Sequence, residues 1–150
     1  MKIRRAQIED IEALCEIEKS AFDKKYYDLL DKKRFKYLLT KANSEIWLVE
    51  IRNQVCGYII LLFRKNASNG RLYSIAVHQS FQGGQVGKNL LNYAEELVKN
   101  KHLKSISQEI REDNEKLYNR YVDLDYKICG MKKDYYPDGK GCLKIIKIFS

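Results

Sequence analysis

Between Leu72 and Val98 the chain reads as strand, glycine-rich loop and amphipathic helix, an order that limits it to α/β architectures with a loop at a sheet edge. Leu72 to Val77 is rich in apolar and β-branched residues and gives way to His78-Gln79-Ser80-Phe81 and then to Gln82-Gly83-Gly84-Gln85-Val86-Gly87-Lys88. From Lys88 onward Leu90, Leu91, Ala94, Leu97 and Val98 fall at i, i+1, i+4, i+7 and i+8, the stripe of a helix with one buried face and Gly87 at its start. A loop of this kind presents backbone N–H groups at a helix N-terminus, where an anion is stabilised. Spacing alone does not name the anion. Lys88 is followed by Asn89, so the G-x-x-x-x-G-K-S/T phosphate loop is absent, and G-x-G-x-x-G is absent too. A plain turn satisfies the same residues.

The rest of the chain surrounds this unit with alternating elements. Residues 2 to 5 read as a short strand, and Ile8, Ile11, Leu14, Cys15 and Ile17 as one face of a first helix. A second helix is expected from about Tyr27 to Lys41. Ile46 to Ile51 and Val55 to Phe63 read as a hairpin around Arg52-Asn53-Gln54. Ser105 to Ile110 is a further strand, and Asn114 caps a short helix reaching Asp123. Tyr126 to Met131 and Cys142 to Phe149 close the chain as two strands around Tyr135-Tyr136-Pro137-Asp138-Gly139. The predicted order is β-α-α-β-β-β-α-β-α-β-β, an α/β fold on a mixed, mostly antiparallel sheet flanked by helices. With 150 residues and no Pro/Gly/Ser-rich linker, residues 1–150 are expected to form a single domain.

Composition narrows the function classes. The formal charge of +8, from 28 Lys and Arg against 20 Asp and Glu, favours anionic partners such as a phosphorylated cofactor, an acidic protein surface or nucleic acid. The basic residues are scattered, apart from Asp23 to Lys41, and read mainly as solvated helix faces. No aromatic-basic pattern of an RNA-recognition module is present, so direct nucleic-acid binding is not expected. Cys15, Cys56, Cys129 and Cys142 never approach C-x-x-C spacing, which reads as buried, reduced thiols. His78 and His102 lack Cys or His neighbours at ligand spacing, so no metal site is expected. No apolar run approaches the ~20 residues of a membrane span, and the expected location is the cytoplasm. Oligomeric state is open.

Two blocks carry a resemblance. Ile75-Ala76-Val77, then Gln82-Gly83-Gly84-Gln85-Val86-Gly87, then Leu90-Leu91 is similar to the acetyl-CoA motif of the GNAT acetyltransferase superfamily, a strand ending I-A-V followed by Q/R-x-x-G-x-G/A and a helix with paired leucines. Glu109-Ile110-Arg111-Glu112-Asp113-Asn114, with Tyr121 and Asp125-Tyr126 after it, resembles the E-V-R-x-x-N…Y…G-F signature of bacterial ribosomal-protein-alanine N-acetyltransferases. Tyr135-Tyr136-Pro137 is similar to the Y-Y-P turn of that group, and Trp47-Leu48-Val49 with Gly57-Tyr58-Ile59 to its central hairpin. Three departures stand out, one of them Leu117, where a smaller residue is common. Gln85 and Asp125 occupy places where the patterns carry glycine, and a loop of the family shape would strain Gln85 unless Gly84 assumed its conformation.

The resemblance implies an N-acetyltransferase that moves an acetyl group directly from acetyl-CoA to a primary amine, without a metal. It implies Glu109 as base and Tyr121, twelve residues later, as acid. It places acetyl-CoA on Ile75, Ala76, Val77, Gln82, Gly83, Gly84, Gln85, Val86, Gly87, Lys88 and Asn114, with the backbone around Val77 polarising the thioester and Asn114 holding the pantetheine arm. Aminolysis of a thioester needs such a set: a neutral amine, a polarised carbonyl and a protonated leaving thiolate. Glu109 also reads as a solvated strand residue, Tyr121 as core, Asn114 as a cap only and Lys88 as a surface lysine.

An α-amine has a pKa of about 8 against about 10.4 for lysine, so deprotonating lysine near neutral pH costs about 3 kcal/mol more. One glutamate suits the easier task, and the expected acceptor is the N-terminal α-amine of a protein, a ribosomal protein by the resemblance. The alternatives are a small-molecule amine as acceptor or a non-catalytic CoA-binding module.

Overall fold

The computed structural model describes residues 1–41 and 43–150. The elements are β1 (Lys2–Arg5), α1 (Ile11–Ala21) after a 3-10 turn at Ile8–Asp10, α2 (Lys32–Thr40), β2 (Ser44–Ile51), β3 (Gln54–Phe63), β4 (Asn69–Val77), α3 (Val86–Asn100) after a second 3-10 turn at Gln79–Phe81, β5 (Ser105–Arg111), α4 (Glu115–Asp123), β6 (Lys127–Lys132) and β7 (Cys142–Ile148). Their order is the predicted one. The strands form one 7-stranded sheet in the order β1-β2-β3-β4-β5-β7-β6. Among the described residues only β4 and β5 run parallel, so the expected mixed, mostly antiparallel sheet is present.

Each face of the sheet carries its own core. On one side α3 and α4 bury Leu90, Leu91, Ala94, Val98 and Tyr121 against Ile59, Leu61, Leu72 and Ile106. On the other, α1 and α2 bury Leu14, Ile17 and Phe35 against Leu48, Tyr58 and Ile60. Gly57 lets α3 approach closely, because a Cβ there would lie 2.9 Å from the Ala76 carbonyl oxygen and 3.0 Å from a Val86 methyl.

Local chemistry explains where the elements differ from expectation. The β2–β3 turn is only Arg52-Asn53, both at positive φ (53° and 63°), the conformation a two-residue hairpin loop requires, so β3 begins at Gln54. The second helix starts at Lys32 rather than near Tyr27. Asp31 is its cap and accepts from the Arg34 N–H at 2.9 Å, leaving residues 27–31 as loop. α3 starts at Val86, two residues before the predicted Lys88. Cys129 on β6 is exposed, contrary to the expectation of four buried thiols, because β6 is an edge strand with no helix over it; Cys15, Cys56 and Cys142 are buried.

One irregularity positions the site. In the β3–β4 ladder Ile60 faces Ser74 but Leu61 faces Leu72, so Tyr73 is an extra, unpaired residue. A bulge of this kind bends its strand. On its other edge β4 pairs with β5 only at Asn69–Arg71 against Ser105–Ser107. Beyond that point the two parallel strands part.

Candidate active site

The parting of β4 and β5 opens a cleft of about 460 Å³. Leu72 to Ile75 form one wall and Gln108 to Arg111 the other; Leu117 and Tyr121 of α4 contribute from one face, and Phe22, Tyr27, Tyr135, Tyr136 and Pro137 from loops on the opposite side. The cleft therefore brings together Ile75, Glu109 and Tyr121 from the predicted set. Ala76 is instead buried in the α1–α2 core, and the 82–88 loop and Asn114 lie outside the cleft lining.

The β4 wall works through its backbone. The His78 N–H donates to the Cys56 carbonyl at 2.8 Å, so by the alternation of an antiparallel ladder the N–H groups of Ile75 and Val77 face away from β3, toward the gap. The Val77 carbonyl on that same edge accepts from the Gln82 side chain at 3.0 Å, which ties the loop to the strand end. These N–H groups can donate to an acyl or amide oxygen lying in the gap.

After Gln82 the chain is exposed until Val86, which is buried. Gly83 takes the left-handed conformation, φ 82°. Gln85 sits at φ −94°, ψ −5°, an ordinary right-handed conformation, and gives α3 no side-chain cap. The expected strain at Gln85, and its transfer to Gly84, are thereby overturned: Gly83 makes the turn. The uncapped N–H groups of the first turn of α3 are left open to an anion. Asn114 caps α4, its side-chain oxygen accepting from the Leu117 N–H at 3.2 Å. Asp125 has φ 72°, a left-handed residue just past α4, which accounts for the glycine usual there.

The β5 wall works through side chains. Glu109 accepts from Arg71 Nη2 at 2.5 Å and from the Cys142 thiol at 3.3 Å, with Lys132 Nζ at 3.7 Å. Burial acts to raise its pKa, but the Tyr135 hydrogen bond and the Arg71 and Lys132 charges outweigh it and hold the carboxyl below the usual range. Burial and Glu109 together push the Cys142 thiol up to about 11, so it is protonated and no nucleophile. Tyr121 is buried beside Tyr126, ring centroids 5.1 Å apart, and burial raises its phenol pKa, keeping its proton in place at neutral pH.

Two groups that sequence reasoning passed over organise this wall. Arg111, buried, donates to Asp138 (2.7 and 3.1 Å), to Asp113 (3.1 and 3.2 Å) and to the Tyr26 carbonyl (3.0 Å), while Tyr136 lies 4.9 Å from its guanidinium carbon. One side chain thus pins the α1–α2 loop, the end of β5 and the β6–β7 turn. Glu18, buried in α1, accepts from the Leu30 N–H at 2.8 Å and from the Tyr58 hydroxyl, fixing the other end of the α1–α2 loop. The placement of Glu18 on the helical face of Leu14, Cys15 and Ile17 was the one available signal: a carboxylate on a buried face requires a partner. Among the described residues no group of three His, Cys, Asp or Glu side chains could hold a metal ion, and no helix is long and apolar enough to cross a membrane.

A parallel strand pair that parts beside a glycine loop and an uncapped helix, with a carboxylate and a protonated phenol in the gap, has the groups that acyl transfer to an amine requires. Residues 11–126 match the acetyltransferase (GNAT) family, and the chain belongs to that family: it is an acetyl-CoA-dependent N-acetyltransferase. It is 27% identical over 142 residues, 91% of this chain and 87% of the other, to a Bacillus subtilis (strain 168) protein named as a candidate ribosomal protein bS18-alanine N-acetyltransferase. Its fold is similar to that of the ribosomal-protein-S18-alanine N-acetyltransferase from Escherichia coli, with a TM-score of 0.87 at 18% identity over 99% of this chain and 94% of that one. It is also similar in fold to a PaiA N-acetyltransferase from Thermoplasma acidophilum in complex with coenzyme A, with a TM-score of 0.78 at 16% identity over 99% of this chain and 98% of that one.

Proposed function

We propose that residues 1–150 act as one domain that acetylates the N-terminal α-amine of a protein, of the ribosomal-protein-alanine kind named for its relatives. The acetyl-CoA diphosphate lies on the 82–88 loop and the first turn of α3, with Lys88 at its edge. The pantetheine arm runs along Ile75–Val77 past Asn114, and the thioester rests in the cleft. Glu109 takes the proton of the incoming amine through water. The amine attacks the thioester carbon, the C–S bond breaks, Tyr121 protonates the departing thiolate, and the proton that the nitrogen sheds as it becomes an amide restores the phenol. Transfer is direct, since Cys142 carries its proton.

The observation that carries the choice of acceptor is that every carboxylate in the cleft is already paired. Glu109 holds Arg71, Glu18 holds Leu30 and Tyr58, and Asp28 holds Arg34 at 3.2 Å. A polyamine or aminoglycoside needs unpaired carboxylates for its additional charges, whereas a peptide N-terminus brings a single amine and an amide backbone suited to the Tyr27 and Tyr136 walls. The test is acetyl-CoA turnover across peptides beginning with Ala, Ser, Met and Gly, beside an N-terminally blocked lysine peptide and spermidine. Turnover on the free α-amines, Ala foremost, is expected. Preference for the blocked peptide or for spermidine overturns the reading.

A further inference from the structure

Six polar or charged residues are buried among the described residues, and five of them are fully engaged: Glu18, Glu95, Ser105, Ser107 and Arg111 each hold side-chain partners. The sixth is Gln108, 5% exposed, whose buried amide nitrogen closes no hydrogen bond, although the side-chain amide lies near enough to the Tyr121 phenol to act downward on its pKa. A buried donor without a partner has lost its water and gained nothing in return, a cost that a bound ligand can remove.

Its position says which ligand. The last β5 residue paired with β4 is Ser107, so Gln108 is the first residue past the junction and stands at the closed end of the cleft, across from Leu72. Along β5 it shares a face with Ile106 and Ile110, which belong to the α3–α4 core with Tyr121, whereas Glu109 points to the other face. The donor therefore sits on the side from which the thioester is reached by Tyr121 and the α3 loop, not on the amine side.

We propose that the Gln108 side-chain amide donates a hydrogen bond to the carbonyl oxygen of the bound acyl thioester, so that a side chain as well as the β4 backbone selects acyl-CoA over its deacylated product. This oxygen gains negative charge as the amine attacks, which strengthens the bond in the transition state. The inference rests on the reading that the thioester lies between β4 and β5.

Calorimetry of the wild type and of Gln108→Leu with acetyl-CoA, S-ethyl-CoA and CoA tests it, S-ethyl-CoA matching the acetyl compound in size but lacking the oxygen. The wild type prefers acetyl-CoA to S-ethyl-CoA. Gln108→Leu cuts that preference by about fivefold and leaves CoA affinity within about twofold. Gln108→Glu, which keeps the length and replaces the donor by an acceptor, cuts it at least as far. An unchanged preference in both variants overturns the inference, as does an equal loss for all three ligands, which would place the contact on the pantetheine arm. Failure of the wild type to bind any of the three is a separate result and defeats the acyl-CoA reading of the cleft itself.

Discussion

The two walls of the cleft are built on opposite principles. The β4 wall, with the loop and α3 that follow it, offers backbone: the N–H edge of Ile75 and Val77, a left-handed Gly83 and an uncapped helix end, with Gln82 to Gln85 exposed around them. The β5 wall offers side chains held by side chains, Glu109 among Arg71, Tyr135, Cys142 and Lys132, and Arg111 among two aspartates and three tyrosines. In the proposed reading the backbone wall meets the CoA arm, and the Glu109 and Arg111 side-chain networks of the other wall meet the amine. Substitutions on the two walls should therefore separate in their kinetic signatures.

The largest expected effect lies where the walls meet. Tyr121→Phe keeps the ring in the core and removes the acid, so kcat should fall by roughly 10²-fold while acetyl-CoA affinity, measured by calorimetry, stays within about twofold. A loss of less than about threefold in kcat would make Tyr121 a packing residue.

Glu109→Gln should be smaller and depend on pH. Because the folded-state pKa of Glu109 is lowered, the carboxylate is ionised throughout the neutral range, and its stabilising contribution is lost only as pH falls below the ordinary carboxylate value. The acid limb of kcat/KM is then set by the acceptor amine, at about pH 8 for an α-amine, and not by Glu109. The variant should lose roughly 10-fold below that limb and recover part of the loss above it, as the amine arrives already neutral. A loss independent of pH would give Glu109 a binding role instead.

Arg111→Lys tests the separation of the walls most cleanly. Lysine cannot hold two carboxylates and a carbonyl in one plane, so the α1–α2 loop and the β6–β7 turn should loosen together. The expected outcome is a rise of about tenfold in the peptide KM with acetyl-CoA KM unchanged; equal changes in both would erase the difference between the two walls.

The two departures from glycine give the smallest effects and opposite answers. Asp125, at φ 72°, is strained, and Asp125→Gly should stabilise the protein by about 1 kcal/mol in urea unfolding. Gln85, at φ −94°, is not, and Gln85→Gly should leave acetyl-CoA affinity within about twofold.

The same contrast decides what could be read before the structure. The β4–loop–α3 unit is local: helical spacing of Leu90, Leu91, Ala94, Leu97 and Val98 and a cluster of glycines announce it, and the structure moved the helix start by only two residues. Asn114 announced its cap. Glu109 and Tyr121 were legible only through resemblance, because nothing in spacing alone shows that they reach one cleft. The Arg111 clamp was not legible, since its partners Tyr26 and Asp138 lie 85 and 27 residues away and are ordinary loop residues until the sheet brings them together. The start of α2 was missed for a related reason: Leu30 is drawn into the core by Glu18, which no helical periodicity encodes.

The most direct test of the two-walled cleft is a crystal structure with a bisubstrate analogue, CoA joined through an acetyl bridge to the α-amine of a peptide beginning with Ala. The account predicts the diphosphate on residues 82–88, the pantetheine along Ile75–Val77, the bridge between Gln108 and Tyr121, and the peptide leaving past Glu109 between Tyr27 and Tyr136. A CoA half bound away from the β4 edge, or a peptide half emerging on the α3–α4 face, would contradict it.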